Sequence, residues 1–264
     1  MTMLETSATA TGGHRLRLLS YNVQVGIAST QPSHYLTKSW KHLLPAARRF
    51  EDLDHIAQVL REYDIVGLQE LDAGSHRTGY VHLTEYLAKK AHYPFWHHQL
   101  NRNLGRLAQH GNGLLSRFRP SEIHEYKLPG VIPGRGALLS RYGHGEDALV
   151  VIMAHLSLGS RTRERQLGFL ADLINQHRHV VLMGDLNCAH DCREMMMLFR
   201  NTHLREPESV LHTFPSWRPD RNIDHILVSR ELEVCQSQVL HHAHSDHLPI
   251  ALELALPQSV SMSY

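Results

Sequence analysis

Long apolar runs are missing from this chain of 264 residues. The longest, Ala148 to Ala154, falls far short of the ~20 residues that a membrane-crossing helix needs, which excludes a helical span. The opening MTMLETSATATGG has no basic stretch leading into an apolar one and does not read as a secretory signal. Residues 1–13 are expected to form a disordered tail, and the protein to be cytoplasmic. Cysteine is scarce as well. Cys188, Cys192 and Cys235 are odd in number and too few for a disulfide framework, in keeping with a reducing compartment. Neither sign of charge dominates, with 27 Lys+Arg against 26 Asp+Glu. No global field draws the chain onto nucleic acid or an anionic membrane, so any polyanion must be met locally. No repeat or low-complexity linker divides the chain. A single domain over residues 14–257 is expected, followed by a short C-terminal tail, 258–264.

The composition, 42% hydrophobic and 20% charged, is that of a globular protein. Histidine is abundant: 23 residues, scattered from His14 to His247. Most would gain a proton near pH 6, so solubility and polyanion affinity are expected to respond to mild acid. Aliphatic and β-branched runs of strand length occupy 16–23, 64–71, 148–156, 180–186, 223–229 and 250–256. Two segments have helical period instead. Phe50, Leu53, Ile56, Ala57 and Leu60 share one face after Pro45. Leu167, Leu170, Ala171 and Ile174 share another, with Thr162 as the expected N-cap and an end near Arg178. Helices covering such strands make a layered α/β domain. The long connection 24–44, with Tyr35 and Trp40, faces substrate or is a packed insertion.

Nearly every strand ends in a polar cluster. Ser20-Tyr21-Asn22, Gln69-Glu70, His155, Asp185-Leu186-Asn187, Asn222-Ile223-Asp224 and Ser245-Asp246-His247 all stand at strand ends, where loops carry function on a rigid frame. Alternate side chains of a strand share a face, so Asp185 and Asn187 can point to one spot. A buried apolar run opening into Asp-x-Asn is costly unless something binds there. Taken singly, each has a bland reading: Asp224 as a turn cap, Glu70 as a solvated strand end, His155 and His247 as structural histidines.

In order, LLSYNVQ, VGLQELD, GNGLLSR, MAHLSLG, VLMGDLN, RNIDHILVS and SDHLPI resemble the endonuclease/exonuclease/phosphatase family, over nearly the whole chain. The resemblance implies a four-layer α-β-β-α sandwich, two central mixed β-sheets flanked by helices, and Mg²⁺-dependent hydrolysis of a phosphate ester, with Mn²⁺ as a substitute. It casts Glu70, Asn22 and Asp246 as the metal site. Asp185 resembles the carboxylate that activates water, and Asn187 its neighbour that donates to the phosphate. His247 resembles the phosphate-binding histidine oriented by Asp224. His155 resembles a second histidine that protonates the leaving oxygen, and which histidine pairs with Asp224 stays open. Arg117 falls where the family places a base near the substrate phosphate. Mg²⁺ takes hard oxygen ligands and keeps several waters, so one or two carboxylates suffice.

Zinc at Cys188-Ala-His190-Asp-Cys192, or at His241, His242, His244 and His247, lacks the usual paired spacing. Met195-Met196-Met197 reads as packing. A non-catalytic module on the same fold would be expected to have lost some of these groups, yet all are present. HLSLGSRTRERQ and TFPSW are similar to small bacterial members related to sphingomyelinase-like and glycosylphosphatidylinositol-remodelling proteins. The expected substrate is therefore a small phosphodiester or phospholipid head group, met by a monomer with at most peripheral membrane contact. DNA or RNA cleavage is the alternative.

Overall fold

Apolar runs that alternate between two buried faces make strands with a core on each side. In a computed structural model, which describes residues 14–24, 47–130, 133–207, 211–242 and 244–264, these runs form the centres of two sheets. The expected tail 1–13, Pro45 and nearly all of the connection 24–44 lie outside the described residues. In chain order the elements are β1 (Arg15–Asn22), α1 (Ala47–Leu60), β2 (Ile65–Asp72), a 3-10 turn (His76–Thr78), α2 (Leu83–Ala91), β3 (Phe95–Asn103), β4 (Gln109–Ser116), β5 (Glu122–Lys127), β6 (Gly136–Tyr142) and β7 (Leu149–His155). Then come α3 (Ser160–Ile174), β8 (His179–Asp185), α4 (Arg193–Asn201), β9 (Leu204–Arg205), β10 (Asp224–Ser229), β11 (Glu233–Val239) and β12 (Ile250–Ala255).

One sheet runs β11-β12-β1-β2-β4-β3, the other β5-β6-β7-β8-β10-β9. Both are mixed: β1 and β2 are parallel, as are β7 and β8, and their other pairings are antiparallel. Leu16 and Leu18 of β1 meet Leu149, Val151 and Met153 of β7 in the core between the sheets. Leu19 and Tyr21 face the helices α1 and α2, and Val150, Ile152 and Ala154 face α3 and α4. The result is the four-layer sandwich. Each leucine buried this way contributes about 1.5–3 kcal/mol.

Helix α1 buries Leu53, Ile56, Ala57 and Leu60 as its period requires. Helix α3 starts earlier than Thr162: Gly159 is its N-cap, and the Gly159 carbonyl accepts from the N–H groups of Thr162 and Arg163. It also stops before Arg178, at Ile174, because residues 175–178 must turn the chain into β8. The elements with no clear signal are exposed or short. Edge strands β3, β5 and β11 are largely polar and half-exposed, and α2 and α4 have nine residues each. Met195 of α4 is buried and Met196 is exposed. Residues 258–264, expected as a tail, form no helix or strand and are mostly exposed, with points of contact to the domain. Val260 joins the core between the sheets, the Arg119 N–H donates to the Ser263 carbonyl, and the Tyr264 ring lies 4.7 Å from Phe118. No helix among the described residues is long and apolar enough to cross a membrane.

Candidate active site

Strand polarity gathers the polar clusters at one edge of the sandwich. β1 and β2 run parallel, their pairing ending at Asn22 and Gln69, next to Glu70; β7 and β8 end together at His155 and Asp185. β10 is antiparallel to β8 and β12 to β1, so the start of β10, Asp224, and the loop before β12, Ser245-Asp246-His247, arrive at the same edge. The register sets Asp185 beside both His155 and Asp224. A shift in the β2–β4 pairing between Leu68 and Leu71 turns Glu70 out of the ladder at φ +59°, a common way to re-aim a side chain beside a site.

Asp185 is the hub. Its carboxylate accepts from Asn22 Nδ2 at 3.0 Å and from the Asn187 N–H at 3.0 Å. It stands 3.4 Å from His155 Nε2 and 3.8 Å from His247 Nε2. His247 Nδ1 lies 2.8 Å from Asp224 Oδ2, which also accepts from the Thr213 hydroxyl. The histidine that pairs with Asp224 is therefore His247. The Phe214 ring lies 4.8 Å from His247, and Ser245 Oγ donates to the Asn22 carbonyl, tying the β12 loop to β1.

Of three further expected residues, two are held near Asp185 and one lies elsewhere. Asn22 turns its Nδ2 to Glu70 (3.4 Å) as well as Asp185, while its Oδ1 accepts from the Gln24 N–H. Its amide nitrogen thus lies between two carboxylates. Asn187 donates its amide to the Leu156 carbonyl at 3.0 Å. Arg117 is not at the site. It follows β4, antiparallel to β2, so it sits at the opposite end of the sheet, where its guanidinium donates to the Tyr63 and Arg61 carbonyls and covers the Tyr93 ring.

The basic group that does enter is Arg135, half-buried, with Nη1 2.6 Å from His155 Nε2. Its one sequence signal is a lone arginine in Pro133-Gly134-Arg135-Gly136 before a strand. A cleft of about 550 Å³ opens beside it, lined by Glu70, Arg102, His110, Arg135, His155 and Thr162 among others.

Burial, with Asp246 close by, raises the Glu70 carboxyl above its usual range, and Asn22, His247 and Arg135 only partly offset it. Burial raises Asp185 too, against the pull of His247. For His247 burial works against charge, but Asp224 and Asp185 prevail and hold it well above an ordinary histidine. His155 goes the other way: burial first, then Arg135, keep it neutral, so its Nε2 accepts from Arg135. Four carboxyl groups, Glu70, Asp185, Asp224 and Asp246, thus face two cations, Arg135 and His247. The surplus and the raised acids fit a divalent cation held by hard oxygens. Asp185, Asp224 and His247 have ligand atoms within 4.8 Å of one another, but Asp224 is already engaged by His247 and Thr213. Among the described residues no cysteine joins such a group, and the cysteines are free.

The two-sheet sandwich thus brings strand ends bearing acids, amides and histidines to one edge. The sequence profile of the Endonuclease/Exonuclease/phosphatase family matches residues 19–247, and the chain belongs to that family. Its members generally hydrolyse phosphate esters and use divalent metals. Among solved structures, an endonuclease/exonuclease/phosphatase from Beutenbergia cavernae superposes with a TM-score of 0.72 at 21% identity, covering 93% of this chain and 72% of that one. The mannosyl-6-phosphatase of Bacteroides thetaiotaomicron gives 0.67 at 17% identity, over 90% and 99%. Humanized D. rerio TDP2 gives 0.65 at 16%, over 91% and 98%. At these identities the likeness concerns the fold. No curated protein is significantly similar in sequence.

Proposed function

We propose that the chain is a metal-dependent phosphodiesterase in which Asp185 takes the proton of the attacking water. The observation that carries this reading is the fixing of Asp185, with Asn187 on its Oδ1 and Asn22, His155 and His247 around its Oδ2, beside a cleft that Glu70, Arg135 and His155 line. Burial raises the basicity of Asp185 towards that needed in a general base near neutral pH. With Nδ1 on Asp224, His247 turns a cationic Nε2 toward the phosphate. The water oxygen bonds to phosphorus as its proton passes to Asp185, and the P–O ester bond breaks. Arg135 faces the charge that builds on the leaving oxygen, and solvent in the open cleft supplies its proton. A divalent cation, Mg²⁺ or Mn²⁺, held by Glu70 and Asp246 would neutralise the phosphate.

A compact diester or phospholipid head group suits the cleft, since a net charge of +1 supplies no long basic groove. The test is hydrolysis of a chromogenic phosphodiester, duplex DNA, RNA and phospholipids with Mg²⁺, Mn²⁺ and excess chelator. Turnover of the small diester or lipid that chelation abolishes is expected. Undiminished turnover after chelation would remove the metal, and salt-sensitive cleavage of DNA alone would make the protein a nuclease.

A further inference from the structure

We infer that the outer rim of this cleft is a membrane-docking edge, so that the phosphate ester it receives belongs to a lipid in an anionic bilayer. The inference rests on reading the cleft as a phosphoesterase site. Its evidence is the distribution of exposed apolar and basic side chains. Among the described residues nine large apolar side chains are exposed; Leu158 (76% exposed) lines this cleft, and Leu104 (45%), Leu107 (65%) and Tyr80 (63%) stand on the hairpin that leads into it and the loop fastened to that hairpin.

Leu104 and Leu107 form the tip of the β3–β4 hairpin. The tip is a tight turn with Gly105 at φ +66°, closed by the Leu104 N–H donating to the Ala108 carbonyl at 2.9 Å. Both strands of the hairpin run directly into the cleft, whose lining includes Asn101 and Arg102 on one and His110 to Asn112 on the other. The loop carrying Tyr80 is fastened to the same tip, because the His76 N–H donates to the Arg106 carbonyl at 2.8 Å. Leu158 lines the cleft from the α3 side. Apolar side chains thus project on both sides of the opening.

On the hairpin side of the opening the charge is basic. Residues 95–110, the whole hairpin, contain no Asp or Glu, and neither do residues 73–81. The exposed charged residues of the tip are Arg102 and Arg106, and across the cleft Arg161 is exposed two residues before the buried Arg163–Glu194 pair. A chain with a net charge of only +1 has therefore placed an acid-free, arginine-bearing segment at the mouth of its site. Leucines flanked by arginines match a bilayer that offers acyl chains beneath anionic head groups. Single-stranded nucleic acid would call for a series of aromatic stacking surfaces, and of the four rim side chains only Tyr80 is aromatic. Duplex phosphates gain nothing from leucines held in water. A bilayer on this rim would present its head groups directly to Arg102, Arg135 and Glu70.

The experiment is sedimentation of the full chain with phosphatidylcholine vesicles, with and without phosphatidylserine, comparing wild type with Leu104→Asp/Leu107→Asp. Both leucines are exposed, Leu104 less so than Leu107, and the variant's melting temperature and its hydrolysis of a soluble chromogenic diester should match wild type. Wild type is expected to bind the phosphatidylserine vesicles, and the variant to bind them about tenfold or more weakly. Absence of vesicle binding, equal binding by the variant, or retention on duplex DNA in place of vesicles would overturn the inference. Vesicle binding that depends on the leucines would support the docking edge even if no phosphate ester were hydrolysed, so failure of the chemistry is distinguishable from failure of the surface.

Discussion

Replacing Gly184 by alanine puts a methyl group where the backbone of the neighbouring strand already lies. Gly184 precedes Asp185 in β8 and has φ +141°, and a Cβ built there would stand 1.9 Å from the Ala154 carbonyl oxygen of β7. Left-handed backbone costs an alanine about 1–3 kcal/mol, and forced overpacking about as much again. β7 cannot retreat, because its ladder with β8 continues through Ala154↔Gly184 to His155↔Asp185. The expected destabilisation is about 3–5 kcal/mol, which in a domain of this size lowers the melting temperature by roughly 10 °C. Gly168 in α3 is the control. A Cβ there meets nothing within 4 Å, and alanine in a helix is worth up to about 1 kcal/mol over glycine. Urea melts of Gly184→Ala and Gly168→Ala should move in opposite directions. A loss below about 1 kcal/mol at Gly184 would refute the claim that the two strand ends are locked together.

Asp185→Asn should melt like wild type and lose at least about tenfold in turnover of a chromogenic diester; a smaller loss would mean another group activates the water. Glu70→Gln removes a carboxylate that burial already disfavours, so the metal-free variant should be no less stable, while the rise in melting temperature on adding Mg²⁺ or Mn²⁺ disappears; a preserved rise would place the metal elsewhere. Asp224→Asn and His247→Gln should give rate losses far from additive in the double variant, since either disables one hydrogen-bonded pair; additive losses would show independent roles. His98 is packed with one ring nitrogen on Thr84 and the other without a partner, and burial lowers its pKa from 6.5 to about 4. The unfolded chain therefore binds the proton first, and stability should fall as pH drops from 6.5 toward 4, by of order 2–3 kcal/mol for this group. Urea melts of His98→Gln should show a correspondingly flatter slope there, and an unchanged slope would assign the acid sensitivity to other groups.

The strands legible from sequence were those buried on both faces. Ala148 to Ala154 and the run ending in Asp185 admit only apolar residues up to the point where they leave the core, so their ends stand out as abrupt changes of chemistry. That is why Asn22, Glu70, His155, Asp185, Asp224 and His247 could be picked out before any fold was known. The hairpin β3–β4 was not legible as structure. FWHHQLNRN is an edge strand with one face in solvent, and its pattern carries little of the pressure that burial imposes.

Tertiary structure alone decided which groups meet. The pairing of Asp224 with His247 rather than His155 depends on two loops from different sheets arriving at one edge, and no spacing in the chain encodes that distance. Arg117 and Arg135 show the same limit from both sides. Arg117 lies in a motif that resembles the family's, yet β4 runs antiparallel to β2 and carries it to the far end of the sheet. Arg135 sits in an unremarked glycine-rich stretch and arrives against His155 because β6, which it precedes, pairs antiparallel with β7, which His155 ends. Local sequence determines what each segment can bury; strand direction, which is a property of the whole sheet, determines where its last residue stands.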